Sequence, residues 1–117
     1  MDQQVKAKLD QAEQLFYKAK DELCKPEEDV VPYSVCQSSY HSAVNYLSGF
    51  LLKRGNMVSE SITLEDLLKQ CREIDPKFQD LHLTPFYYPA QSEDVWMNMD
   101  TAHDFLAMAE KTRQMVN

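Results

Sequence analysis

Three histidines carry side chains whose chemistry could act near neutral pH, and two of them, His41 and His103, lie in segments with helical periodicity. A two-metal site inside a helical bundle needs several inward-facing glutamates and Glu-x-x-His pairs. The residue three positions before His41 is Ser38, and the residue three positions before His103 is Asp100. One carboxylate and one imidazole are too few ligands for a metal ion. The sequence therefore predicts no metal site and no cofactor, and it leaves both histidines as candidates for ligand or partner contacts.

The charge of the chain limits the ligands it can bind. Its 117 residues include 19 acidic and 12 basic side chains, which give a formal net charge of -7. Such a chain repels a phosphate backbone unless its bases gather on one face, and here they are scattered. We expect no broad nucleic-acid surface. The close basic pair Lys53 and Arg54 could still make a local phosphate contact, or it could only cap a helix C-terminus.

An aromatic segment between residues 82 and 92 is the most distinctive candidate surface. It carries three consecutive aromatic residues flanked by two prolines, a composition that suits an ordered loop better than a helix or a strand. Tyrosine combines a flat apolar ring with a hydrogen-bonding tip. These side chains could clamp a base or a partner chain, or they could cap the end of the fold. The candidates are Phe86, Tyr87 and Tyr88, and Trp96, one turn into the predicted last helix, could join either arrangement.

The cysteines and the hydropathy of the chain indicate a cellular compartment. Cys24, Cys36 and Cys71 are odd in number and form no Cys-x-x-Cys motif, so we expect small buried thiols. No apolar run approaches the roughly 20 residues of a membrane span, and the first residues lack the apolar core of a signal peptide. We therefore expect a reduced, cytoplasmic location.

The first segment predicts an amphipathic helix of about twenty residues. Its apolar stripe alternates spacings of four and three, with charged and amide side chains on the opposite face. The stripe consists of Val5, Leu9, Ala12, Phe16, Ala19 and Leu23. Pro26 and the acidic residues after it end the helix.

The stretch from Gln37 to Arg54 predicts the central helix. The small residues Ser48 and Gly49 lie within its apolar face, so neighbouring backbones could approach closely. Pro32 suits the first turn, and Gly55 suits the end of the helix. The apolar positions are Cys36, Tyr40, Ala43, Val44, Leu47, Phe50 and Leu51.

Two start signals follow the central helix. Thr63, with Asp66 three residues later, approximates a capping box before a shorter third helix. Asp75 followed by Pro76 predicts one more short helical turn, which ends at Leu81. The apolar residues of the third helix are Leu64, Leu67, Leu68 and Cys71.

A last helix is predicted from Ser92 to Val116, because Ser92 and the two acidic residues after it suit a helix start. Its inward face consists of Val95, Met99, Ala102, Leu106, Ala109 and Val116, widened by Trp96, Phe105 and Met108. Short connections favour antiparallel neighbours. The predicted fold is one all-α domain over residues 1–117, an up-and-down four-helix bundle with an additional short helix.

The order of these segments resembles the HEPN domain family of helical bundles. The resembling pieces cover nearly the whole chain from Lys6 to Met115: the first helix, the SSYHSAVNYLSGFLLKRG helix, the TLEDLL start, IDPKFQDL, the FYYP turn and TAHDFLAMA. The resemblance implies a bundle that commonly dimerises. It also implies a role in nucleotide-linked, RNA-processing, toxin-antitoxin or nucleotidyltransferase-associated systems.

The chain departs from the family at one motif. Ribonuclease members carry an arginine four to six residues before a histidine, and none of Arg54, Arg72 and Arg113 precedes a histidine at that spacing. An activity that relies on this motif would lack the cation that stabilises phosphate charge and its paired acid or base.

The resemblance and the departure together predict a non-catalytic HEPN-like interaction or nucleotide-binding module. It would form a homodimer and partner a nucleotidyltransferase or another nucleotide-handling protein. The alternative is a ribonuclease or a toxin-antitoxin component with a non-standard site. Such a site would use Arg54, Arg72, His41 or His103.

Overall fold

The computed structural model of the chain describes residues 3–59, 61–83, 86 and 97–116. These residues form four α-helices and two 3₁₀ turns, and no strand occurs among them. The all-α prediction, a helical bundle with an additional short helical element, is confirmed. The helices are α1 (Gln3–Leu23), α2 (Pro32–Lys53), α3 (Leu64–Ile74) and α4 (Met99–Val116), and the 3₁₀ turns are Glu27–Asp29 and Pro76–Asp80.

Helix α2 is the centre of the fold, as its apolar periodicity predicts. It has 22 residues, and its buried side chains face α1, α3 and α4. Pro32 occupies the first turn, where its missing N–H breaks no helical bond. At the other end, Gly55 adopts a φ of 83°. The amide of Gly55 donates to Leu52 O and that of Asn56 to Leu51 O, which together form a Schellman motif.

Helices α1 and α2 pack closely in antiparallel directions. Ser42 Oγ donates a 2.8 Å hydrogen bond to Ala12 O, while Gly49, further along α2, faces Leu9, earlier in α1. A Cβ at Gly49 would lie 2.6 Å from Leu9 Cδ2, so the glycine makes room for this leucine. The predicted stripe of α1 is mostly buried, with Leu9 and Leu23 partly exposed. The buried residues are Val5, Ala12, Phe16 and Ala19.

Side-chain caps determine where α3 and the second 3₁₀ turn begin. Thr63 Oγ1 accepts from the amide of Asp66 at 3.2 Å, as the capping-box pattern predicts. Asp75 Oδ1 accepts from the amide of Lys77 at 3.1 Å and starts the turn at Pro76. Phe78 in this turn is completely buried.

Arg72 holds the end of that turn against α3. Its Nε donates to Phe78 O at 3.2 Å, and its Nη2 donates to Leu81 O at 2.7 Å. The guanidinium therefore gives Leu81 O a donor, and it gives Phe78 O a second donor besides the amide of Leu81, which donates to Phe78 O at 3.1 Å. Arg72 therefore stabilises the packing of the turn against α3.

The predicted start of the last helix is wrong. Helix α4 begins at Met99, because Asn98 Oδ1 accepts from the amides of Asp100 and Thr101 at 2.7 and 3.4 Å and so caps it there. Met97 is in a turn before this cap. Ser92, Val95 and Trp96 lie outside the described residues. The buried face of α4 consists of Ala102, Phe105, Ala109 and Thr112.

Within the described ranges, no helix combines the length and the apolar composition that crossing a bilayer requires.

Candidate functional site

Two cations lie over aromatic rings at the C-terminal end of α2. The Arg54 guanidinium carbon is 5.1 Å from the centroid of the Phe50 ring. Lys77 Nζ is 5.8 Å from the same centroid and 5.5 Å from that of Phe78, and the two rings are 4.7 Å apart. A ring face attracts a cation at such distances. We call Phe50, Arg54, Asp75, Lys77 and Phe78 the basic-aromatic cluster.

The carboxylate in this cluster lies too far from either cation to accept a hydrogen bond from it. Asp75 Oδ2 lies 3.6 Å from Arg54 Nη2 and 3.9 Å from Lys77 Nζ, while its Oδ1 caps the 3₁₀ turn. Neither cationic group donates a hydrogen bond to any described residue, and the side chains are 49% and 45% exposed. Two cations face one carboxylate, and their N–H groups remain able to bind an anionic group of a ligand or partner.

Lys53 adds a third positive charge beside this cluster and is also exposed. The negative end of the α2 dipole stabilises Lys53 and Arg54 and disfavours an anion placed directly on the helix axis. An anion would therefore bind at the exposed side of Arg54 and Lys77, away from the last carbonyl groups of α2.

A second arginine, Arg113, is held in a hydrogen-bonded network. Its Nε donates to Glu13 Oε1 at 2.8 Å, and Tyr46 OH donates to the same oxygen at 2.7 Å. Its Nη2 donates to Tyr17 OH at 3.3 Å, and its guanidinium carbon is 5.3 Å from the Phe16 ring centroid. This network joins α1, α2 and α4. We call Glu13, Tyr17, Tyr46 and Arg113 the three-helix clamp.

The clamp shifts the proton affinities of its members. Burial, and then the hydrogen bond to Glu13, raise the pKa of Tyr46, whose side chain is almost completely buried. The hydrogen bond to Glu13 also raises the pKa of Arg113. Both groups keep their protons throughout the neutral range. The arrangement stabilises the fold and provides no general base.

His41 and His103 are both exposed, on α2 and α4 respectively. The His41 ring meets the Tyr40 ring edge-on, with 5.4 Å between centroids. His103 lies with Asp100 at a cleft of about 320 Å³ between the end of α1 and the start of α4. In the part of the chain that the structure describes, no hydrogen bond joins a histidine to an arginine, and no three potential metal ligands cluster.

The predicted aromatic surface is only partly described. Phe86 is buried, with its ring centroid 4.6 Å from that of Phe105 and 5.7 Å from that of Tyr40. Its side chain belongs to the core, so Phe86 is not available to a ligand. Tyr87, Tyr88 and Trp96 lie outside the described residues, so their proposed contacts stay a prediction.

The cysteines differ from one another in burial. Cys36 and Cys71 are buried, as expected, and burial raises the pKa of each thiol to about 12. These thiols stay protonated and are poor nucleophiles. The prediction is wrong for Cys24, which is exposed because it lies in the turn after the last residue of α1.

Sequence reasoning identified Lys53 and Arg54 but missed the rest of the basic-aromatic cluster. Phe50 lies four residues before Arg54, a spacing that places the two side chains on one helix face, so this contact was detectable. The contribution of Asp75 and Lys77 was not detectable, because it depends on how the second 3₁₀ turn packs against α2.

Comparisons of the chain with protein-family models, with curated proteins and with solved structures found no match. The HEPN assignment therefore stays a prediction from the sequence pattern.

Proposed function

We propose that the chain is a non-catalytic HEPN-like interaction module of the cytoplasm, which forms a homodimer and partners a nucleotidyltransferase or another nucleotide-handling protein. The observation that carries this proposal is the use of the three arginines. The guanidinium groups of Arg72 and Arg113 donate hydrogen bonds to other residues of the fold. Arg54 keeps its donors, and no described histidine hydrogen-bonds to it.

An arginine that stabilises phosphate charge during RNA cleavage must act together with an acid or base at the same phosphate. Moving Arg72 or Arg113 toward a histidine would leave carbonyl groups or Glu13 without their present donors. Arg54 is exposed and accessible, so it is suited to binding rather than to paired acid-base chemistry. The geometry therefore supports recognition better than catalysis.

We assign the basic-aromatic cluster, with Lys53, as the surface that contacts the anionic group of the partner or its nucleotide. Arg54 can offer a planar pair of donors to a carboxylate or phosphate, and Lys77 can add a point charge. The face of the Phe50 ring contacts the Arg54 guanidinium and restrains its position. The contact is local, in agreement with a chain whose net charge is -7.

The test is affinity capture from the native cell with the tagged full chain, followed by mass spectrometry. Arg54→Met serves as the variant, because methionine keeps an apolar stem against Phe50 and loses the charge. Lys20→Met, an exposed lysine of α1 outside the cluster, serves as the matched control.

We expect the wild type and Lys20→Met to recover the same nucleotide-handling protein, and Arg54→Met to recover at least about fivefold less of it. Equal recovery by all three baits would contradict the assigned surface. The absence of any nucleotide-handling protein from the specific fraction would contradict the proposed partner.

A further inference from the structure

Met57 is the most exposed large apolar side chain among the described residues. It lies in the connection between α2 and α3 and is 93% exposed. Residues that follow it in the chain line two clefts, and Met57 itself lines neither of them. Ser59 and Ile62 contribute to both clefts, so the two concave surfaces adjoin along this line.

The first cleft, of about 170 Å³, is lined by four aliphatic and four polar residues, and the one charged residue among them is basic. Val44 and Leu52 of α2 face Val58 and Ile62 of the connection, and all four side chains are partly exposed. Lys8 of α1 is this basic residue, and it forms no ion pair with any described residue.

The second cleft, of about 490 Å³, is acidic. Asp66 and Glu73 of α3 line it together with Lys69, which leaves one net negative charge. In the described part of the chain, neither carboxylate is within ion-pair distance of a basic group. The two clefts that share Ser59 and Ile62 therefore carry unneutralised charge of opposite sign.

We propose that a second copy of this chain covers the face formed by Met57 and these two clefts, an inference that rests on the dimeric module proposed above and identifies its interface. A two-fold axis along the line of Ser59 and Ile62 places the basic cleft of each copy opposite the acidic cleft of the other. Each Lys8 then approaches the partner's Asp66 and Glu73 sides, and both Met57 side chains lose their exposure to water.

The self-complementary charge favours a second copy over another occupant. An isologous interface requires that one surface match its own rotated image, so opposite charges must lie on opposite sides of the axis. Lys8 and the α3 carboxylates satisfy that condition. The exposed, apolar Met57, which directly precedes Val58 of the first cleft in the chain, supplies surface whose burial drives association.

The test measures the dissociation constant of the dimer of the full chain by sedimentation equilibrium. Met57→Asp should raise the Kd at least about 30-fold, because burying two new carboxylates without partners is costly. Met97→Asp is the matched control, since Met97 is 60% exposed and lies in the turn before α4 rather than in the connection between α2 and α3. We expect this control to leave the Kd within about twofold of the wild type.

A charge exchange makes the test more specific. Lys8→Glu alone should raise the Kd about tenfold, and adding Glu73→Lys to it should return the Kd to within about threefold of the wild type. Both positions are at the protein surface and the exchanged charges suit their helix ends, so circular dichroism should report folded variants.

The outcomes separate this inference from the proposed function. A dimer whose Kd is unchanged by Met57→Asp, or whose Lys8→Glu defect is not rescued by Glu73→Lys, overturns this interface and leaves the dimeric module in place. A monomer at every concentration up to about 1 mM contradicts the dimer itself.

Discussion

The three-helix clamp and the basic-aromatic cluster are built from the same chemical groups, yet they differ in how tightly those groups are held. Each places an arginine over a phenylalanine ring and opposite a carboxylate. In the clamp the nitrogen-oxygen distance is 2.8 Å, and Arg113 is 30% exposed. In the cluster the distance is 3.6 Å, and Arg54 is 49% exposed.

Arg113 stabilises the fold, whereas Arg54 is left exposed for recognition. Glu13 accepts from two donors at once, one of them on the buried Tyr46, so the clamp links α4 to α1 across 100 residues of sequence. In Asp75, by contrast, Oδ1 caps the 3₁₀ turn, and Oδ2 lies 3.6 Å from Arg54 Nη2 and 3.9 Å from Lys77 Nζ. Exposed pairs of that kind contribute little to stability.

Replacing each arginine by methionine should destabilise the protein far more in the clamp than in the cluster. Arg113→Met should lower the free energy of unfolding by about 2 kcal/mol, because it removes two hydrogen bonds, one of them to a carboxylate. Arg54→Met should lower it by less than about 0.5 kcal/mol. Urea denaturation monitored by circular dichroism measures both changes. Equal losses in the two variants would mean that the two arginines are equivalent.

An intermediate effect concerns the pH dependence of the clamp. The pKa of Tyr46 is raised above its ordinary value of 10.0 in the folded state. Its proton therefore contributes stability that is fully present below pH 10.0, where the unfolded phenol is also protonated. This contribution is lost as the pH rises toward the folded pKa.

Tyr46→Phe removes that pH-dependent contribution. We expect the variant to be about 1 kcal/mol less stable than the wild type at pH 7. The difference should shrink between about pH 9 and about pH 11, because only the wild type loses the stability that the tyrosine proton supplies. Urea unfolding at several pH values measures it. A difference that stays constant over this range would show that the hydroxyl ionises as it does in the unfolded chain.

A modest change in anion binding is expected at the basic-aromatic cluster. At low salt, Arg54→Met should weaken the binding of inorganic pyrophosphate to the chain about fivefold, since the contact is exposed and screened. Isothermal titration calorimetry measures the change, with Lys20→Met as the control of equal charge. If Lys20→Met weakened binding as much as Arg54→Met, the effect would reflect net charge rather than the cluster.

Much of the fold was predictable because its signals are local. The periodicity of α1 and α2, the cap at Thr63 and the Asp75-Pro76 start all depend on residues within a few positions of one another. The start of α4 was mispredicted because Ser92 and Asn98 are both good capping residues, and sequence alone does not show which side chain takes that role.

The candidate site was less predictable than the fold. The sequence around Arg113 is that of an ordinary surface base, and only the packing of α4 against α1 places it beside Glu13. The sequence around Phe86 suggests a surface aromatic residue, whereas in the fold its ring contacts those of Phe105 and Tyr40. Such contacts join residues far apart in the chain, and their formation depends on packing that no short sequence window contains.

The most direct test of the non-catalytic assignment is RNA cleavage by the purified chain. Labelled structured and single-stranded RNAs would be incubated with the wild type, with His41→Ala and with His103→Ala, and the products separated by electrophoresis. We predict the same background level for all three proteins. Cleavage by the wild type that is lost in a folded His41→Ala or His103→Ala variant would contradict the account.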